Sequence, residues 1–482
     1  MGDNLKNKTI GSIAWITIDR FGQQAIQFLI GLVMARLLLP SDFGIIGMIM
    51  IFVSLSSVLV ESGFSNALIR KKDANELDYN TIYYFNILVS IVLYIVLFFT
   101  LPYIADFFKQ NQLVPIGRVI FLSVFFNALC LVPSTMLIKN MDYKTLAKAN
   151  IFSIILSGFG GVILAFLGYG VWALVVQQVT FNFFRMIAIL TLLRWYPQKI
   201  FSLQVIQDFW KFSMNLLGTS MLNVIFNNIY MFILSRFYPL NKVGLYTQAN
   251  KFNETFVSTF QTVLVGSTYP LFAQIHDDEN RIKRIYREFA KKTSMITFPV
   301  MFTLIVAAKP IFFVLFSSKW LPAVPYFQLI CFASIFSTLY SLNINILNAC
   351  GLSKLTFKLE FLKKILITVS IILCFKYGIL LMLSGYAISN FISYGISTIY
   401  LKQNFNHYLK HQFLDIAGPI AIAILTSAIV FGTSFIFENF YLLLFAQAIV
   451  FLVIYILSIR FFYNDLYHSV INYIGIFLKI KK

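Results

Sequence analysis

The side chains able to do chemistry in this sequence are few, and they sit where they are most costly. The stretch AWITIDRFGQQAIQFLIGLVMAR (14–36) is long and apolar enough to cross a bilayer, yet it carries Asp19, Arg20, Gln23, Gln24 and Gln27. At about 100° per residue, these five fall within roughly 140° of arc and Gly31 joins them. Phe21, Ala25, Phe28 and Leu29 cover the other side. A lone Asp or Arg at the centre of a membrane helix costs about 2.5–3.5 kcal/mol on insertion scales, so this face meets protein or water and not lipid. Two further stripes follow the same logic. Asn215, Thr219, Asn223 and Asn227 form an i+4 ladder, and Thr247, Asn250, Lys251, Glu254, Ser258 and Gln261 share one face of the next apolar segment. Such groups either hydrogen-bond between helices or line a hydrated cavity that receives polar cargo. The charges of Asp19, Arg20 and Lys251 favour the cavity, although Glu254, at i+3, is placed to neutralise Lys251. Arg185 and Glu61 are expected to snorkel from nearer the ends of their segments.

The elements that carry these stripes are membrane helices. The chain has 482 residues, 59% hydrophobic and 12% charged, with a mean hydropathy of +0.80. A soluble domain carries about twice that charged fraction. Long apolar runs recur throughout and do not alternate, which excludes a β-barrel. Candidate spans lie near 11–38, 43–69, 80–105, 114–138, 148–167, 170–193, 211–237, 243–272, 294–316, 324–348, 357–376, 379–401, 413–437 and 441–462, fourteen in all. The first run is expected to stay as an anchor, being too long for a signal-peptide core.

The net charge of +19 follows this topology. With the N-terminus inside, about 27 of the 38 Lys and Arg fall on the inner side, as the positive-inside rule requires. That places both termini in the cytoplasm. Nucleic acid is excluded as a partner, because the basic charge is already explained by orientation.

The sequence repeats itself. RLLLPSDFG (36–44) and RFYPLNKVG (236–244) stand 200 residues apart, and GYGV (168–171) is echoed by KYGI (376–379). The division expected is an N-terminal six-helix bundle over 1–200, a C-terminal one over 201–410, and two additional helices with a cytoplasmic tail over 411–482. Parallel repeats of this kind place the substrate between the halves. The one long hydrophilic segment, HDDENRIKRIYREFAKKTS (276–294), carries Ile282, Ile285, Tyr286 and Phe289 at helical spacing. It is expected either as a short amphipathic helix on the membrane surface or as a solvated loop.

Catalytic and metal-binding signatures are absent. There is no GxxxxGK[ST] and no HExxH. His407 and His411 have i,i+4 spacing but no third ligand, so a basic helix exit is the better reading. Cys130, Cys331, Cys350 and Cys374 stand singly in or beside apolar runs, as small apolar packers. No catalytic residue, metal or cofactor is expected.

The motifs GLVMARLLLPSDFGIIGM (31–48), VESGFSNALIRKK (60–72), LDYNTIYYFNI (77–87), GLYTQANKF (244–252), YPLFAQIHDD (269–278) and SSKWLPAVPYFQLIC (317–331) together resemble bacterial polysaccharide exporters of the Wzx type. These belong to the multidrug/oligosaccharidyl-lipid/polysaccharide superfamily, and the likeness is to the colanic-acid-exporter-like subgroup. The resemblance implies an all-α polytopic fold, two six-helix bundles in a V shape plus two C-terminal helices. It implies a flippase in the bacterial cytoplasmic (inner) membrane. The cargo would be a polyprenyl-pyrophosphate-linked oligosaccharide, and a polysaccharide polymerase and other assembly proteins would be partners. Arg20 and Lys251 would then meet the pyrophosphate, since guanidinium and ammonium groups bind phosphate oxygens strongly. Gln23, Gln24, Gln27, Asn215, Asn223, Asn227 and Asn250 would hydrogen-bond the glycan, while Asp19 and Glu254 would hold the cations or couple transport to ions. A cation-coupled drug antiporter of the same superfamily and a polytopic glycan polymerase or ligase are the rival readings.

Overall fold

The computed structural model describes residues 2–275, 278–405 and 409–462, and every long element in them is an α-helix. In chain order these are α1 (Gly2–Leu37), α2 (Pro40–Glu61), α3 (Phe64–Arg70), α4 (Glu76–Phe108), α5 (Leu113–Ile120), α6 (Leu122–Lys139), α7 (Tyr143–Phe166), α8 (Val171–Leu193) and α9 (Leu203–Phe237). There follow α10 (Leu240–Gln274), α11 (Glu279–Val306), α12 (Ala308–Phe316), α13 (Val324–Ala349), α14 (Ser353–Cys374), α15 (Ile379–Phe405), α16 (Leu409–Gly432) and α17 (Phe440–Phe462).

Among the described residues, eleven segments are long and apolar enough to cross a membrane. Helices α1, α10 and α14 have the length, at 36, 35 and 22 residues, but too much polar or charged content to meet that measure. They are the helices that bear Asp19 and Arg20, Lys251 and Glu254, and Lys358, Glu360, Lys363 and Lys364. Three helices that carry candidate chemistry are therefore ones whose polarity weakens the signal of a span.

Helix ends follow local chemistry. Pro40 opens α2, where a missing amide hydrogen costs nothing. Ser62 and Gly63 adopt left-handed conformations, φ 46° and 73°, which separates α2 from α3. At the start of α4, Asn75 Oδ1 accepts from Asp78 N and Asp78 Oδ2 accepts from Asn75 N, both at 3.0 Å. Lys71 pairs with the buried Asp78 at 2.7 Å, and Lys139 Nζ donates to the carbonyls of Leu68 and Lys71 at the end of α3.

Contacts divide the chain into two units, Met1–Thr247 and Gln248–Lys482, with the boundary inside α10. In the first, α7 packs on α8 and α1, α6 on α8 and α4, and α2 on α9. Gly158 and Gly161 of α7 receive Ile30 and Met34 of α1. In the second, α11 packs on α16 and α13, α15 on α13 and α14, and α17 on α16 and α12.

The 276–294 segment departs from expectation. From Glu279 it belongs to α11, one helix running to Val306, while His276 and Asp277 lie outside the described residues. Its apolar stripe does not lie on a membrane surface. Ile282, Tyr286 and Ala290 are buried in a core with Phe272, Leu342, Ile346, Leu359 and Leu401. An apolar helical stripe demands an apolar partner, and here protein supplies it. Behind the stripe runs a buried polar chain. Tyr286 Oη donates to Asn343 Oδ1 at 2.6 Å, Asn343 Nδ2 to Ser397 Oγ at 2.8 Å, and Thr398 Oγ1 to Gln412 Oε1 at 2.7 Å. Arg287 forks onto Asp415 of α16 with contacts of 2.7–3.1 Å. These bonds fasten α16 into the second unit.

Removing the Tyr286 hydroxyl leaves the Asn343 carbonyl oxygen without this donor. Tyr286→Phe is expected to cost about 1 kcal/mol, read as a lower Tm of the detergent-purified protein. An unchanged Tm would show that the hydrogen bond contributes nothing net.

Candidate functional site

In the first unit, Asp19 is met by amides. Its Oδ1 accepts from Gln23 Nε2 at 2.7 Å, one turn along α1. Both carboxylate oxygens accept from Asn150 Nδ2 of α7, at 3.3 and 3.2 Å. The carbonyl oxygen of that amide, Asn150 Oδ1, accepts from Arg185 Nε of α8 at 3.0 Å. Arg185 also reaches Asn127 Oδ1 at 3.4 Å and Ser134 Oγ at 3.5 Å, both on α6. A single buried amide thus stands between an anion and a cation with its dipole aligned to both. Arg185 lies about 12 Å from the C-terminal end of α8 at 1.5 Å per residue. Its guanidinium turns into the bundle and does not snorkel. Sequence reasoning assigned it no role; the signal available was its depth, and what could not be read was that Asn150 stands beside it.

Asp19 faces α7, and Arg20 is exposed, as is Gln27; Gln23 and Gln24 are half-buried. On α9 the whole ladder of Asn215, Thr219, Asn223 and Asn227 is exposed. An amide turned to hydrocarbon forfeits its hydrogen bonds to water and finds none in return. The physical reading is that this face of α9 is wet. Both ends of α9 are held within the first unit. Near its start, Gly63 lies against Ser213, Arg70 stacks on Phe212 at 5.0 Å and Lys71 on Phe209 at 5.4 Å.

In the second unit, Asn250 Nδ2 donates to Glu254 Oε1 at 2.7 Å. Lys251, Glu254 and Ser258 are exposed on α10, whereas Asn253, off that stripe, turns inward to Ser334 at 2.9 Å. Helix α14 adds a group that the sequence reading treated only as topological charge. Lys363 stacks on the Tyr340 ring at 4.2 Å and lies about 15 Å into α14. Among the described residues no three His, Cys, Asp or Glu gather to hold a metal. His407 and the His411 side chain lie outside them. Cys130 and Cys331 are buried, and all four cysteines are free thiols.

The sequence profile of the family described as polysaccharide biosynthesis protein matches residues 33–325. The chain belongs to this family. The teichuronic acid biosynthesis protein TuaB of Bacillus subtilis is 27% identical over 389 residues, covering 80% of each chain. The succinoglycan biosynthesis transport protein ExoT of Rhizobium meliloti is 24% identical, over 65% of this chain and 64% of its own. The lipopolysaccharide biosynthesis protein WzxC of Escherichia coli is 23% identical, over 68% of this chain and 67% of its own. Among solved structures, the lipid II flippase MurJ in an inward closed conformation superposes with a TM-score of 0.75 at 17% identity, over 94% of this chain and 99% of that one. An inward-facing MATE-family multidrug transporter of the MOP superfamily gives 0.64 at 14% identity, over 82% and 98%. This member of the polysaccharide biosynthesis family is therefore a multi-pass helical membrane protein with the MurJ/MATE fold.

A wet face can be told from hydrogen-bond glue by thiol chemistry, because the reacting species is the thiolate, which needs water. Single cysteines at positions 215, 219, 223 and 227 are expected to react with N-ethylmaleimide at least about tenfold faster than cysteines at 222 and 225. Equal rates would remove the case for a hydrated stripe.

Proposed function

We propose that this protein is a flippase for polyprenyl-pyrophosphate-linked oligosaccharide repeat units, moving them from the cytoplasmic to the periplasmic leaflet by alternating access. The product would feed a surface polysaccharide, whether O-antigen, capsule or exopolysaccharide. The observation that carries this reading is the exposed polar face at membrane depth. Arg20 stands exposed on α1 and the ladder stands exposed on α9, in a fold shared with a lipid flippase. The relatives named for teichuronic acid, succinoglycan and lipopolysaccharide support the cargo class.

In this reading Arg20 and Lys251 meet the two negative charges of the pyrophosphate through charge-assisted hydrogen bonds. Gln23, Gln24, Gln27, Asn215, Asn223, Asn227 and Asn250 exchange hydrogen bonds with sugar hydroxyls, and the polyprenyl tail stays in the bilayer. Asp19 is held through Asn150 and Arg185, and Glu254 through Asn250, so each carboxylate is positioned to balance a cation or to couple transport to an ion. Fourteen spans, with α1, α10 and α14 counted among them, and both termini in the cytoplasm of a bacterial inner-membrane protein complete the proposal. A polymerase would receive the cargo outside. No covalent bond is made or broken, which separates this reading from a polymerase or ligase. The second reading is a cation-coupled drug antiporter, favoured by the MATE-like fold and the Asp19 cluster.

Deleting the gene is expected to accumulate a complete lipid-linked repeat unit on the cytoplasmic leaflet and to remove surface polymer, measured by mass spectrometry of extracted lipids. Arg20→Ala and Arg185→Lys are expected to lower surface polymer at least about tenfold at unchanged membrane abundance, the lysine failing because it cannot present the guanidinium fork. Unchanged lipid-linked sugars together with drug efflux would favour the antiporter.

A further inference from the structure

Helices α13 and α15 run side by side in the same direction, and they part over their first halves. Their later turns are joined, Asn343 Nδ2 donating to Ser397 Oγ at 2.8 Å. Nearer its start α15 is drawn onto a third helix instead. A Cβ on Gly385 would lie 3.1 Å from the Ser370 Cβ of α14, so the two backbones approach closely there. Held to α13 late and to α14 early, α15 leaves a groove of about 400 Å³ on its α13 side.

Leu329, Phe332 and Phe336 form one wall of the groove, and Ser384, Ile388 and Phe391 stand in the other. The lining is apolar. Its one hydroxyl, Ser384 Oγ, donates to the Leu380 carbonyl of its own helix at 3.0 Å. Phe336 packs edge to face on Phe332 at 5.5 Å and on Phe391 at 5.0 Å. Phe336 and Phe391 are the deepest of the lining residues, so their contact closes the far end. The side of the groove is open, with Phe332, Ile388 and Phe391 exposed.

Depth and direction identify what fits. On each helix the lining lies about 5–12 residues, or roughly 8–18 Å, from the helix start at 1.5 Å per residue. The hydrocarbon of one leaflet is about 15 Å deep, half of the core. The groove therefore runs alongside lipid chains and closes near where the chains of a single leaflet end. Left empty, both walls would forfeit dispersion contacts, and water would find no partners on them. Just before the start of α15 stand Lys376 and Tyr377, both exposed, at the level where headgroups lie. The groups offered to cargo stand on other helices, α1, α9 and α10.

We propose that this groove holds one acyl chain of a phospholipid from the leaflet bordering the starts of α13 and α15, with its phosphate met by Lys376 and Tyr377. A polyprenyl tail, methyl-branched and far longer than one leaflet is deep, would overrun it. In the transport reading above that leaflet is the periplasmic one, but the site depends on neither the cargo nor its movement.

The test reconstitutes the full chain in vesicles of phosphatidylethanolamine and phosphatidylglycerol, with a trace of phosphatidylglycerol carrying a photoreactive diazirine in one acyl chain. Mass spectrometry then maps the cross-links. Labelling at 329–336 and 384–391 is expected to exceed severalfold that of the exposed apolar face of α17 at Leu452 and Ile456. Ser384→Phe, which fills the groove, and Lys376→Glu, which repels the phosphate, are expected to lower groove labelling severalfold and to leave α17 unchanged. Ile388→Trp, at an exposed position, carries the test if Ser384→Phe fails to insert. Groove labelling no higher than that of α17, or unmoved by filling the groove, would overturn the site. Labelling unmoved by Lys376→Glu would overturn the phosphate contact. Loss of groove labelling on adding polyprenyl phosphate to the vesicles would overturn the phospholipid as occupant. Failure of the flippase reading shows separately, as normal surface polymer after gene deletion.

Discussion

A charge at membrane depth must be answered by another group or by water, and most of what is distinctive here follows from how Asp19 is answered. The carboxylate takes hydrogen bonds from Gln23 and Asn150, and Asn150 passes the interaction on to Arg185. Successive helical residues point about 100° apart. Fixing Asp19 against α7 therefore fixes Arg20 away from it, on the exposed side. The small residues of α7 serve the same end. Gly158 and Gly161 admit Ile30 and Met34, so α1 packs closely enough for its carboxylate to reach Asn150. One buried polar contact thus aims a second charge at the open face.

The same economy explains which helices are polar. A membrane helix whose faces all meet lipid or protein can be apolar throughout. One that borders water on part of its circumference loses apolarity there. Helices α1 and α10 carry two of the three stripes, and α14 brings Lys363 onto Tyr340. Polarity that weakens the signal of a span is, for that reason, a pointer to function.

Much of this was legible in the sequence. The helical class came from the apolar runs, the stripes from i+4 spacing, and the repeat from two nine-residue motifs. What stayed hidden depended on contacts between helices far apart in sequence. Arg185 reads as an interfacial charge until Asn150 and Asn127 are seen beside it. The 279–290 stretch has the pattern of a surface helix, because periodicity states that one face is apolar and not what covers it. Its partners, Leu342, Leu359 and Leu401, lie on three other helices. The glycines of the repeat, Gly44 and Gly244, were visible as residues, but their meeting required both copies in space.

The two ends of α9 are held by different kinds of force. At the basic end the preceding connection is tied to α4 by directional bonds: Trp195 Nε1 to Glu76 at 3.2 Å, Gln198 N to Asn80 Oδ1 at 2.6 Å and Ser202 N to Thr81 Oγ1 at 3.2 Å. Two cation–π contacts, each worth about 0.5–1 kcal/mol at an exposed site, add to these. At the other end the contact with α2 is made by Met231 against Gly47, a dispersion contact without directional bonds. Dispersion falls off steeply with separation and requires no partner once lost. Hydrogen bonds demand replacement. The far end of α9 keeps a directional bond of its own, from Arg236 to the Phe107 carbonyl, so what distinguishes that end is the contact with α2, where Met231 packs against a glycine.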